Sequence, residues 1–289
     1  MILINIFTLF SRAYIKYAII DGVIMALCLA LLGVSLVLKK HSMIGDGLSH
    51  VGFGAVAIAL AIGWAPLYFA IPIVILASFV ILYLAEKNKA FGDSAIALFS
   101  TVALAVGYVA TEFGDGIKTS VNQYFYGSIL TVSLEEVIIS VIVGIIVISL
   151  FIILYNRIFS VTFDQTFSKA SGINTTLINV LISVLSSIIV VIGMKVMGAL
   201  LITSLIIFPV LSSRQLFKKF KQVTIFAAIF SIISFFIGFI FACIIDKMPI
   251  GSSIVFANLF TLIISIIIGK ILTIYKKNKM QLNEDSQSA

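Results

Sequence analysis

Eight stretches of this chain run for 17 to 39 residues without an Asp, Glu, Lys or Arg: 22–38, 47–85, 94–111, 137–156, 170–194, 196–213, 222–245 and 248–269. A helix that crosses a bilayer needs roughly 20 apolar residues. Only a helix or a closed barrel satisfies its own backbone polar groups there. The alternating strands of ~10 residues that an outer-membrane barrel requires are absent. The 39-residue run is long enough for two helices, and Gly63-Trp64-Ala65-Pro66 divides it. Nine spans follow, near 17–38, 48–64, 67–85, 93–112, 135–156, 174–193, 197–212, 222–244 and 251–274. The chain is 61% hydrophobic and 11% charged, whereas a soluble domain is about 25% charged. The fold class expected is all-α, a polytopic transmembrane helical bundle of eight or nine spans.

The charges then orient the bundle. Fourteen of the nineteen Lys and Arg fall in alternate loops, at 39–40, 87–89, 157–169, 214–221 and 270–279. The positive-inside rule assigns those loops to the cytoplasm, with the N-terminus outside and the C-terminus inside. Nine spans satisfy this arrangement; eight result if residues 1–16, with Arg12 and Lys16, lie along the interface instead. The net charge of +7 is thereby used at the membrane surface, and no nucleic-acid partner is implied. No small-residue cleavage site follows the first apolar residues, so no cleaved leader is expected. Residues 1–274 read as the transmembrane domain and 275–289 as a polar cytoplasmic tail without fixed structure. Cys28 and Cys243 lie in apolar runs and read as small buried hydrophobes, not a disulfide framework.

Chemistry concentrates in the run 43–54. Asp46 and His50 stand at i and i+4, on one face of a helix. A carboxylate and an imidazole stacked in this way make a half-site for a divalent transition metal. The alternative reading has Asp46 capping the helix from the loop, with His50 at headgroup level. Gly45, Gly47, Gly52 and Gly54 surround the pair. They allow either backbone access to that face or close helix packing. A second interrupted span runs from Gly198 through Thr203 and Ser204 to Pro209. Short spans broken by Gly and Pro in both halves of a transporter point to a substrate path. Asp93 opens the fourth span, where the helix dipole favours an acid, and His41 sits in the basic loop as a solvated residue. The internal loop 162–172 can form a short amphipathic helix ending at Gly172, suited to docking a soluble partner. Gly114-Asp115-Gly116-Ile117-Lys118-Thr119 lacks the spacing of a phosphate-binding loop, and no H-E-x-x-H is present.

Four blocks resemble the membrane subunits of the bacterial ABC importers for zinc, manganese and iron(II), most of all the zinc permeases. They are Lys39-Lys40 followed by Asp46-Gly47-Leu48-Ser49-His50; Tyr124-Phe125-Tyr126-Gly127-Ser128-Ile129-Leu130 with Glu135-Glu136; Lys195 through Gly198-Ala199-Leu200 to Pro209 and Arg214; and Asp246-Lys247-Met248-Pro249-Ile250-Gly251. The resemblance covers nearly the whole chain. It implies the membrane-spanning subunit of an ATP-driven, high-affinity divalent metal importer in the bacterial plasma membrane. Such a subunit is not itself an enzyme. It pairs with a second copy of itself, with two cytoplasmic ABC ATPase subunits and with an extracytoplasmic metal-binding protein. No cofactor is held permanently; zinc, or else manganese or iron(II), passes through as substrate. By the resemblance, Asp46 and His50 are metal ligands. Gly45, Gly47, Gly54, Thr203, Ser204 and Pro209 belong to the translocation path. Asp164, Ala170 and Gly172 belong to the helix that contacts the ATPase. The chain departs from the family in carrying Val51 after the histidine and no His beyond His50. Remaining ligands then come from backbone carbonyls, Thr203, Ser204 or the second copy. An ion-coupled secondary carrier is the competing function, disfavoured by the scarcity of intramembrane acids.

Overall fold

The computed structural model describes residues 13–87, 92–114, 118–127, 132–245 and 248–288. Arg12, the 115–117 stretch, Ser128-Ile129-Leu130 and Asp246-Lys247 lie outside the described residues. Twelve helices are described: α1 (Ala13–Leu38), α2 (Met43–Ala61), α3 (Pro66–Lys87), α4 (Gly92–Phe113), α5 (Lys118–Tyr126), α6 (Leu134–Ile153), α7 (Tyr155–Phe163), α8 (Gln165–Ala170), α9 (Thr175–Met197), α10 (Ala199–Leu216), α11 (Phe220–Ile244) and α12 (Ile250–Ser288). Nine of these are long and apolar enough to cross a membrane; α5, α7 and α8 are the exceptions. No strand occurs among the described residues.

Two boundaries differ from expectation, each for a local reason. The second span begins at Met43 rather than 48 because α1 stops within four residues. Lys40 adopts a left-handed φ of 64°, and the amides of Lys40 and His41 bond back to Val37 and Leu36. This closure normally uses glycine, so a lysine there gives no warning in the sequence. At the other extreme, α12 continues through Ser288, so the polar stretch after 274 is helical rather than irregular. It contains no Gly or Pro, and Lys, Gln and Glu favour helix.

The spans sort into two layers. In α1, α2 and α9, 72% of the most apolar window is buried; in α3, α4, α6, α11 and α12 the share is 22–33%. The first three, with α10, form the inside of the bundle, and the other five present Ile, Leu, Val and aromatic side chains outward. A membrane offers no hydrophobic drive between helices, so close approach depends on small residues. Gly54 of α2 lies against the Ala103 carbonyl of α4, where a Cβ would come within 2.5 Å of oxygen.

The loops carrying Lys39-Lys40, Arg157, Lys169 and Arg214-to-Lys221 gather at one end of the bundle, here the basic end. At the opposite end three glycines meet. Gly127 closes α5 at φ 83°, and Gly198 separates α9 from α10 at φ 84°. A Cβ on Gly198 would lie 2.4 Å from the Gly127 amide nitrogen, and one on Gly251 would lie 3.1 Å from the Tyr126 carbonyl. Three sequence blocks spread over more than a hundred residues thus meet backbone to backbone. Beside them, burial pushes the Tyr124 phenol above its usual range.

Candidate functional site

Asp46 lies in the first turn of α2, inside the helix. Ser42 is the residue at the cap and makes no side-chain cap bond, so the loop-cap reading of Asp46 is excluded. His50 stands one turn further on, with Nε2 3.6 Å from Asp46 Oδ1. Thr203 of α10 donates its hydroxyl to the same Oδ1 at 3.0 Å. The Asp46 side chain is 31% exposed and that of His50 15%. The carboxylate and Nε2 therefore share one partly open seam between α2 and α10, while Nδ1 is buried with no hydrogen-bond partner among the described residues. Two metal–ligand bonds of about 2.1 Å, opened to about 120°, span the 3.6 Å gap. Among the described residues no three His, Cys, Asp or Glu side chains converge, and Asp46 and His50 stand as a pair.

The glycines of this run hold the pair in place. Gly45 packs on the Ile206 side chain of α10, and Gly47 on Ile96 of α4. Lodged between these neighbours, α2 turns Asp46 and His50 into the seam. Of the two adjacent hydroxyls, Thr203 reaches Asp46, whereas Ser204 is buried and bonds to its own helix at the Leu201 carbonyl, 2.9 Å away. Pro209 is buried within an uninterrupted α10; it leaves the Leu205 carbonyl without a helical donor.

At the basic end, the 162–172 stretch is not one helix: Thr162 and Phe163 close α7, and residues 165–170 form α8. The Asp164 carboxylate caps it, accepting from the Phe167 amide at 2.8 Å. It ends at Ala170, and Gly172 follows at φ 80°, with amides 172 and 173 bonding back to Lys169 and Ser168. Two exposed aromatics of this turn, Phe163 and Phe167, were not singled out from the sequence. Their i, i+4 spacing across the Asp164 cap was the available signal. Asp93 lies exposed in the first turn of α4, and His41 is half-buried beside the basic loop. Cys28 and Cys243 are free thiols.

Sequence reasoning also passed over Asp21. It is fully buried within α1, and among the described residues neither carboxylate oxygen has a hydrogen-bond partner of good geometry. The Ser140 hydroxyl of α6, equally buried, is the polar group facing it. The acid stands next to the first residue of a charge-free run and was read as its edge.

Residues 11–269 match the model of the ABC 3 transport family. The chain belongs to that family. As a member it is a membrane permease of the metal ABC transporter type, a transport subunit and not an enzyme. The permease is 27% identical over 250 residues to the high-affinity zinc uptake system membrane protein ZnuB of Haemophilus influenzae, covering 86% of this chain and 95% of that one. It is 27% identical over 247 residues to the manganese transport system membrane protein MntC of Halalkalibacterium halodurans, covering 86% and 84%. Its fold is similar to a solved structure of PsaBC from Streptococcus pneumoniae in complex with Fab, with a TM-score of 0.81 at 24% identity, covering 92% of the permease and 95% of that chain.

Proposed function

We propose that this permease is the membrane-spanning subunit of an ATP-driven importer of zinc. The observation that carries the reading is the Asp46–His50 pair, with its ligand atoms 3.6 Å apart in a seam between inner helices. Two copies meeting along that seam bring two imidazoles and two carboxylates together, a tetrahedral set that suits zinc. Manganese, named for a relative of similar identity, is the second reading; it favours a set richer in oxygen. The ligands are Asp46 and His50, with Thr203 supporting the acid. The path continues along Gly45, Gly47, Gly54, Ser204 and Pro209. Loop charge supports placing the basic end, and with it the C-terminus, in the cytoplasm of a bacterial plasma membrane. Residues 1–274 are then the permease domain and 275–289 a cytoplasmic helical tail. An ABC ATPase dimer engages α8 through Asp164, Ala170 and Gly172, and an extracytoplasmic metal-binding protein docks at the opposite end.

The test is complementation of cells lacking their own zinc importer. His50→Ala and Asp46→Ala are each expected to abolish growth on limiting zinc while the protein still inserts. Normal rescue by both variants refutes the ligand assignment. Labelled zinc and manganese uptake by the wild type decides the metal; manganese taken up in preference to zinc replaces the first reading by the second.

A further inference from the structure

A cavity of about 900 Å³ opens at the basic end, between the ends of α1, α3, α4 and α9 and the α7–α8 turn. Its charged lining is Lys39, Lys40 and Lys169 against a single acid, Asp93. That balance suits an anion better than a divalent cation. Lys40 is held at its mouth by the left-handed closure of α1, and Lys169 by the last turn of α8. Deeper in, Ser183 of α9 lines the wall; it is 3% exposed and its hydroxyl has no partner. Leu38, Ile44 and Leu82 give one part of the wall an apolar surface, while Ser35, Gln165 and Asn179 keep the rest polar.

We infer that this cavity binds the phosphate headgroup of an anionic phospholipid from the adjoining leaflet. Ammonium groups at the mouth meet the phosphate as charge-assisted donors. The apolar part of the wall takes the upper acyl chain. Basic pockets between spans at the cytoplasmic face suit such headgroups. An amphiphile matches this lining better than a free anion, which has no use for the leucines. The inner-leaflet source rests on the orientation proposed above. Because α8 supplies one wall, the lipid contacts the same turn as the ATPase.

The experiment is native mass spectrometry of the delipidated permease in detergent, titrated with phosphatidylglycerol, phosphatidylcholine or inorganic phosphate. One phosphatidylglycerol per chain is expected, bound at least tenfold more tightly than phosphatidylcholine. Lys40→Gln and Lys169→Gln are each expected to weaken it several-fold. Lys218→Gln, exposed at the same end but outside the cavity, is expected to leave it unchanged. Equal binding of the two lipids overturns the proposal, as does equal loss with Lys218→Gln, which signifies diffuse surface attraction. Inorganic phosphate bound as tightly as the lipid overturns the lipid source. Lipid binding unchanged in Lys40→Gln and Lys169→Gln while ATPase association falls assigns the cavity to an acidic segment of the partner and overturns the proposal. The titration needs neither transport nor a membrane orientation. Labelling a cysteine placed at 218 in intact cells reads the orientation separately, so the two readings fail independently.

Discussion

At the scale of single residues, the hydroxyl of Thr203 has a job its neighbour lacks. Its bond to Asp46 fixes the carboxylate that faces His50. A hydrogen bond to a charged group contributes about 1.5–3 kcal/mol. Thr203→Val, which keeps the shape, is therefore expected to raise the metal concentration for half-maximal uptake about tenfold, with little change in maximal rate. Ser204→Ala, which removes no bond to Asp46, is expected to raise that concentration far less, and uptake measured across metal concentrations compares the two. The pairing of Asp46 with His50 was legible from the i, i+4 spacing alone. The choice between Thr203 and Ser204 was not, because adjacent helical residues point about 100° apart and only the partner helix decides. Asp21 was illegible for another reason: a carboxylate at the edge of an apolar run looks like the end of a span. An unpartnered buried polar group costs about 1–3 kcal/mol. Asp21→Leu is therefore expected to raise the thermal unfolding midpoint in detergent, and a lowered midpoint shows that the acid has a structural partner.

Among the elements, α8 is defined by its two ends. Asp164 starts it, and the left-handed Gly172 stops it with open space around the Cα. A side chain at 172 meets no clash, so its cost is conformational, on the order of 1–2 kcal/mol. Gly172→Val is expected to leave ATP hydrolysis running in the reconstituted transporter while metal transport falls several-fold. Transport equal to wild type removes α8 from the ATPase contact. The Gly198 position is different in kind. Alanine there combines a left-handed φ with a Cβ 2.4 Å from two backbone atoms that cannot move aside independently. Gly198→Ala is expected to lower stability by more than about 2 kcal/mol, seen as a large fall in the unfolding midpoint. The end of α8 could be read from a glycine after a short amphipathic stretch. The early start of α2 could not, since a lysine performs the turn that glycine usually performs.

For the whole molecule, the nine spans and the basic end were plain in the sequence, because charge is expelled from apolar runs into loops. Which spans lie inside was hidden. A helix facing lipid and a helix facing protein are equally apolar, and α6 is more apolar than the buried α2. Glycines that touch other backbones do not separate the layers either, since Gly33 of inner α1 and Gly238 of outer α11 both do so, and burial is visible only once the neighbours are known. The junction of Gly127, Gly198 and Gly251 gives this arrangement a mechanical character. Side chains elsewhere can change rotamer and absorb a displacement, but bare peptide planes have no such compliance. A shift of α5 or α12 at that end reaches the break between α9 and α10 directly, and the first turns of α10 carry it to Thr203. The three glycines act as a stiff linkage, so a partner pressing on the far surface is felt at the carboxylate without any flexible joint between them.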